Sequence, residues 1–192
     1  MCMRGDKRER ILRILLNHKD PLSKNELSIK AGCSRQWVIL FLKELEKKKL
    51  VVGTRPIHRL GLIEYWSEIS KMPMCVRNYM VKEPLAILKK THLDYALTTY
   101  QAENLVQRFL FPARTDIYIR KEDLEKWHSL MIENGLYGKG NVKIISVDEH
   151  TMYNKDKING IYTVSVPQLI IDLMKEGGPA AEAAEMLKKR YV

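Results

Sequence analysis

The chain has 192 residues, 45% of them apolar, with 33 Lys+Arg against 23 Asp+Glu for a formal net charge of +10. Such a composition buries a core in one large domain or two small ones and reads as a soluble globular protein; the longest apolar run, Trp37 to Leu42, is far short of the roughly 20 residues a bilayer-spanning helix needs, and Met1 to Arg10 is too charged for an export signal. The charge is uneven: residues 1–65 hold 15 Lys+Arg against 7 Asp+Glu, whereas residues 66–192 hold 18 against 16, so a polyanion partner is expected for the first third.

The predicted elements begin with a helix in which Ile11, Leu12, Leu15 and Leu16 recur at helical spacing until Asp20-Pro21 stops it. Ser23 with Glu26 three residues on is a capping box, opening a second helix whose apolar side is Leu27, Ile29 and Ala31. Gly32 ends that helix by accepting a left-handed turn. Ser34 caps the third helix, "SRQWVILFLKELEKKK", after only a short turn, and two helices joined so tightly through a glycine mark a helix-turn-helix. After Leu50 the period becomes extended: "LVVGTRPIHRLGLIEYW" offers two short strands around a loop rich in Gly, Arg and Pro, which reads as a wing. Residues 1–65 therefore read as a winged helix-turn-helix domain.

On the third helix Val38, Leu42 and Leu45 share one face, with Cys33 at the turn, and should be buried. The other surface carries Arg35, Gln36, Ile39 and Lys43, with Trp37 and Leu40 at its edge. The amino-terminal end of a recognition helix meets base edges, so Arg35 and Gln36 suit guanine and adenine, while Lys43 and Lys47 to Lys49 suit phosphates. Trp37 and Leu40 either meet thymine methyl groups or pack within the protein, and packing is the commoner use of such groups. Arg55, His58 and Arg59 are expected on the wing, and Arg4, Lys7, Arg8 and Arg10 add cations for backbone contacts.

Residues 66–93 contain Pro73 and Pro84 and no sustained period, which suits a connector with one or two short helices; Trp66, Met72, Met74 and Tyr79 there are candidates for an exposed apolar interface or for a core. Residues 94–192 then alternate: strand "YALTTY", helix "QAENLVQRFLF", strand "TDIYIR", helix "KEDLEKWHSLMIENGL", strands "NVKIISV" and "IYTVSV", and helices "PQLIIDLMKEGG" and "PAAEAAEMLKKRY". Alternation of this kind implies a sheet covered by helices, so the fold class is α+β, a winged helix followed by a small α/β domain. The cysteines Cys2, Cys33 and Cys75 form no C-x-x-C pair and the histidines are scattered, so reduced thiols, a cytoplasmic setting and no structural metal are expected.

In its order of elements, in "YALTTYQAENLVQRF" and in the closing "VSVPQLIIDLMKEGGPAAEAAEMLKKR", the chain resembles the abortive-infection (AbiEi-type) antitoxins of type IV toxin-antitoxin systems and their archaeal relatives. That resemblance covers most of the chain. It implies a DNA-binding autorepressor that also counters a partner toxin, and a second domain with a degenerate nucleotidyltransferase fold. Residues 66–93 depart from the pattern as an insertion-like connector. A working nucleotidyltransferase needs a Gly-Ser turn for the triphosphate and two or three carboxylates on one strand face for Mg²⁺. Here Leu97-Thr98-Thr99 lacks the glycine, and Asp116-Ile117-Tyr118 offers a phenol where a second acid would stand. Gly138 and Gly140 do not form a phosphate loop, and Asp148, Glu149 and His150 are consecutive in an expected solvated loop, where side chains point apart.

The sequence thus reads as a regulator binding double-stranded DNA through Ser34, Arg35, Gln36, Trp37, Ile39, Lys43, Lys47, Arg55, His58 and Arg59, with no catalytic residues, metal or cofactor. A cognate toxin protein and a second copy of the chain are the expected protein partners. Two rival readings stand beside it: an active nucleotidyltransferase-like or nucleic-acid-modifying enzyme, and a winged-helix scaffold for protein contacts.

Overall fold

A computed structural model describes residues 4–71 and 75–191. The chain is mixed α and β and divides into two compact units, Met1–Lys71 with Lys188–Val192, and Met72–Leu187.

In the first unit, α1 (Arg4–Asn17) buries Ile11, Leu12, Ile14, Leu15 and Leu16. It ends short of the expected Asp20-Pro21 stop, where the Asn17 side chain donates to the Arg13 carbonyl at 2.8 Å. The capping box opens α2 (Lys24–Ala31): the Glu26 amide donates to Ser23 Oγ at 3.1 Å and the Ser23 amide to the Glu26 carboxylate at 2.8 Å. Gly32 closes it at φ 60°, with the Gly32 and Cys33 amides reaching back to Ile29 and Ser28 carbonyls. Next, α3 (Arg35–Lys47) buries Val38, Leu42 and Leu45 as the spacing requires, together with Phe41.

The expected second strand of the wing is overturned. The hairpin is only β1 (Val51–Val52) and β2 (Arg55–Pro56), and the residues after it form α4 (Arg59–Ile69). In "RLGLIEYWSEI" the pairs Leu62, Ile63 and Tyr65, Trp66 are buried at helical spacing, a period masked by the β-prone aromatic and Ile residues. The Thr54 hydroxyl ties the hairpin to the Leu22 carbonyl at 2.5 Å.

The expected connector is also overturned. Trp66 is buried in α4, and β3 (Cys75–Val81) is an inner strand with Tyr79 fully buried, so neither belongs to an exposed apolar interface; Met72 and Met74 lie outside the described residues. Of the expected short helices there, α5 (Pro84–Lys90) is present.

After β4 (Ala96–Thr98), α6 (Thr99–Val106), β5 (Thr115–Arg120), α7 (Leu124–Glu133), β6 (Gly135–Tyr137), β7 (Val142–Val147), β8 (Asp156–Ile158) and β9 (Ile161–Thr163) come α8 (Val166–Glu176) and α9 (Pro179–Tyr191). Among the described residues the strands of the second unit form one seven-stranded sheet in the order β6-β3-β7-β5-β4-β9-β8. Only β5 with β7 and β4 with β9 are parallel, so the sheet is mixed. Trp127 and Met131 of α7 are buried, and α8 contributes Leu169, Ile170, Ile171 and Leu173 to the core. Asp148 to His150 do not form a solvated loop: Asp148 accepts the His150 amide at 2.8 Å, and the buried His150 ring stacks on Tyr153 at 4.9 Å. No helix among the described residues is long and apolar enough to cross a membrane.

Candidate nucleic-acid interface

The amino-terminal end of α3 is fixed by Ser34, whose Oγ accepts the Trp37 amide at 3.3 Å. That bond satisfies one of the free amides of the first turn. Arg35 and Gln36 are exposed there, Lys43 and Lys47 continue the exposed side, and Leu40 stands between them at 55% exposure. Ile39 and Trp37 are half-buried; the Lys7 ammonium lies 5.9 Å from the centre of the Trp37 ring, so Trp37 packs at the edge of the face. Arg35, Lys43 and Lys47 have no ion-pair partner among the described residues.

The acids on α3 are occupied elsewhere. Arg8 donates to Glu44 at 3.0 Å and lies over the Phe41 ring, and the Tyr65 hydroxyl donates to the same Glu44 carboxylate at 2.8 Å. Burial first, and then this bond to Glu44, push the Tyr65 phenol up to about 12. Glu46 accepts the Gly53 amide at 2.8 Å, bracing the hairpin against the end of α3.

The hairpin supplies fewer cations than expected. Arg55 is exposed on β2, flanked by exposed Val52 and Ile57. His58 is exposed but is committed to capping α4, its Nδ1 accepting the Gly61 amide at 2.7 Å. Arg59 is not on the hairpin at all. As the first residue of α4 its guanidinium donates to the Leu16 carbonyl and to the Tyr191 hydroxyl and lies 4.8 Å from the Tyr191 ring centre; the Tyr191 hydroxyl in turn donates to Leu16. Arg59 therefore ties the start of α4 to the end of α1 and to Tyr191, all within the first unit. Arg8 is spent on Glu44, Arg10 donates to the Ala31 carbonyl at 3.3 Å, and the Arg4 side chain lies outside the described residues.

The second unit contains a polar cluster with little local signature in the sequence. Asp116, 1% exposed, accepts Arg114 Nε at 2.5 Å and Nη2 at 2.7 Å, and also the Thr99 hydroxyl at 2.5 Å. Arg114 donates further to Glu176 at 3.1 Å, and this bonding, led by Asp116, raises its already high pKa. Beside it the Thr98 hydroxyl and the Gln168 amide both donate to Asp172, at 2.5 and 2.8 Å. Thr99 sits at φ 49°, a left-handed conformation costly for a β-branched residue. By sequence Asp116 reads as a strand-start or surface carboxylate rather than a ligand; it does lie at the start of β5, but it is buried. Arg114 and Glu176 lie far apart in sequence and carry no local signature. No group of three or more His, Cys, Asp or Glu among the described residues is arranged to hold a metal ion.

No protein-family model matches the chain, and no curated protein and no solved structure matches it.

Proposed function

We propose that the protein is a sequence-specific transcriptional regulator that binds double-stranded DNA through a winged helix-turn-helix in its first unit, with α3 in the major groove. One observation carries this reading: Arg35, Gln36, Lys43 and Lys47 stand exposed along one side of a helix whose acids are turned to other partners. Cations left in water without partners form a surface ready for phosphates, and the release of counterions supplies the binding energy. Arg35 and Gln36, next to the Ser34 cap, are the base-reading pair; Lys43, Lys47 and Arg55 grip the backbone.

The second unit is read as a catalytically silent nucleotidyltransferase-like domain. In such a domain Asp116 would hold Mg²⁺. Its two oxygens are instead taken up by Arg114 and Thr99, and Tyr118 follows where a second carboxylate would be required. The role of an autorepressing antitoxin, with a cognate toxin as partner and with two copies on a two-fold operator, rests on the resemblance of the sequence alone.

The test is selection of bound fragments from a random duplex pool, followed by affinity measurements at several salt concentrations. With Lys43, Lys47 and Arg55 at phosphates, log affinity falls against log salt with a slope of about −2.7. A flat salt response, or a selected pool no different from the starting pool, removes DNA from the account.

A further inference from the structure

A cavity of about 390 Å³ opens in the second unit near the starts of β5 and β7, beside the first turns of α5 and α6. That size suits a small ligand. Some of its polar lining is already committed. Asn141 exchanges two hydrogen bonds with the Val81 backbone, at 2.8 and 2.9 Å, and Arg114 gives Nε and Nη2 to Asp116 and Glu176.

Gln101 and Thr115 differ from these. Both line the cavity, at 8% and 4% exposure, and neither side chain has a hydrogen-bond partner among the described residues. Neither contributes a polar atom that is both sealed from solvent and unpartnered, so the Gln101 amide and the Thr115 hydroxyl remain open to the cavity. Uncommitted polar groups on a concave wall are available to whatever fills it.

Charge narrows the choice of occupant. Two carboxylates, Asp116 and Glu176, share the single guanidinium of Arg114, and Glu83 adds a third at the cavity wall. This excess of negative charge opposes phosphates and carboxylates. Pro84 and Pro112 contribute rigid apolar surface. Gln101 presents a carbonyl acceptor and an N–H donor side by side, the complement of a lactam edge, and the Thr115 hydroxyl adds a donor or an acceptor.

We infer that this cavity binds an uncharged planar ligand with an amide-type edge, a free nucleobase or its nucleoside, and rejects the phosphorylated forms. The inference is independent of DNA binding by the first unit. It is tested by saturation-transfer NMR on the full chain, with hypoxanthine and uracil as probes and inosine and uridine 5′-monophosphates as counter-probes. At least one base gives a saturable signal, the monophosphates bind about tenfold more weakly or not at all, and Gln101→Leu lowers base affinity about tenfold. Should Gln101→Leu fail to fold, Ala113→Trp on the exposed wall closes the cavity and removes the signal. Silence from both bases makes the cavity a water pocket and overturns the inference, as do monophosphates that bind equally well or wild-type affinity in the variants.

Discussion

Arginine and carboxylate side chains are used in opposite ways in the two units. Along α3 the cations point into water with no acid attached, while in the second unit Arg114 lies between Asp116 and Glu176 and gives them its Nε and Nη2 donors. A charge left in solvent costs the fold little and remains available to a ligand; a charge taken inside must be matched at once and then serves the fold. Arg59 and Arg35 make the same contrast within one unit. Arg59 is bonded to Leu16 and Tyr191, and Arg35 to no acid.

The largest effect expected from breaking this contrast is in the second unit. Asp116→Ala leaves Arg114 partly buried with one acid fewer and the Thr99 hydroxyl unmet, and lowers stability by on the order of 3 kcal/mol in urea unfolding. A loss under about 0.5 kcal/mol, the range of ordinary surface substitutions, would show the cluster to be incidental. On α3, Lys43→Glu with Lys47→Glu weakens binding to every duplex about a hundredfold near 0.1 M salt while leaving stability within about 0.5 kcal/mol; anisotropy titrations on two unrelated duplexes decide this. Smaller, and different in kind, is Arg35→Ala with Gln36→Ala, which lowers discrimination between selected and scrambled sequence by about tenfold and spares non-specific binding. Competition assays separate the two. Ser34→Ala removes the cap of α3 and costs about 1 kcal/mol, read from the thermal midpoint of the first unit.

The mildest prediction concerns pH. The Tyr65 phenol titrates near 12 in the folded protein, above its ordinary 10. Its contribution to stability is complete below pH 10 and is lost as pH rises from 10 through 12, because the unfolded chain releases that proton first. Tyr65→Phe flattens this part of the curve, and an identical alkaline decline in the variant would assign it to other groups.

The first unit was more legible than the second, for a physical reason. Ser23, Glu26, Gly32 and Ser34 act within a few residues of themselves, so caps and turns can be recognised without the fold, and Val38, Leu42 and Leu45 lie on one face by helical geometry alone. The errors fell where distant contacts override local preference. Residues 59–69 look extended from Ile63, Tyr65 and Trp66, but become a helix because both buried pairs meet the core on one side. Residues 75–81 hide their period because apolar Val76 and Met80 lie on the exposed face of β3, while Arg77 shares a face with buried Tyr79 and Val81. Its strand character comes from pairing with β6 and β7.

The capped helices of the first unit, the concentration of positive charge there, and the outward order Arg35, Gln36, Lys43, Lys47 can be read before the chain folds, because each follows from short-range spacing. Which charges stay available depends on contacts between distant residues. Arg59 and Arg8 are basic residues like any other until Tyr191 and Glu44 come within bonding distance, and Asp116 is a candidate metal ligand until Arg114 and Thr99 close on it. Availability depends on which groups the folded chain brings together, and spacing along the sequence does not carry that information.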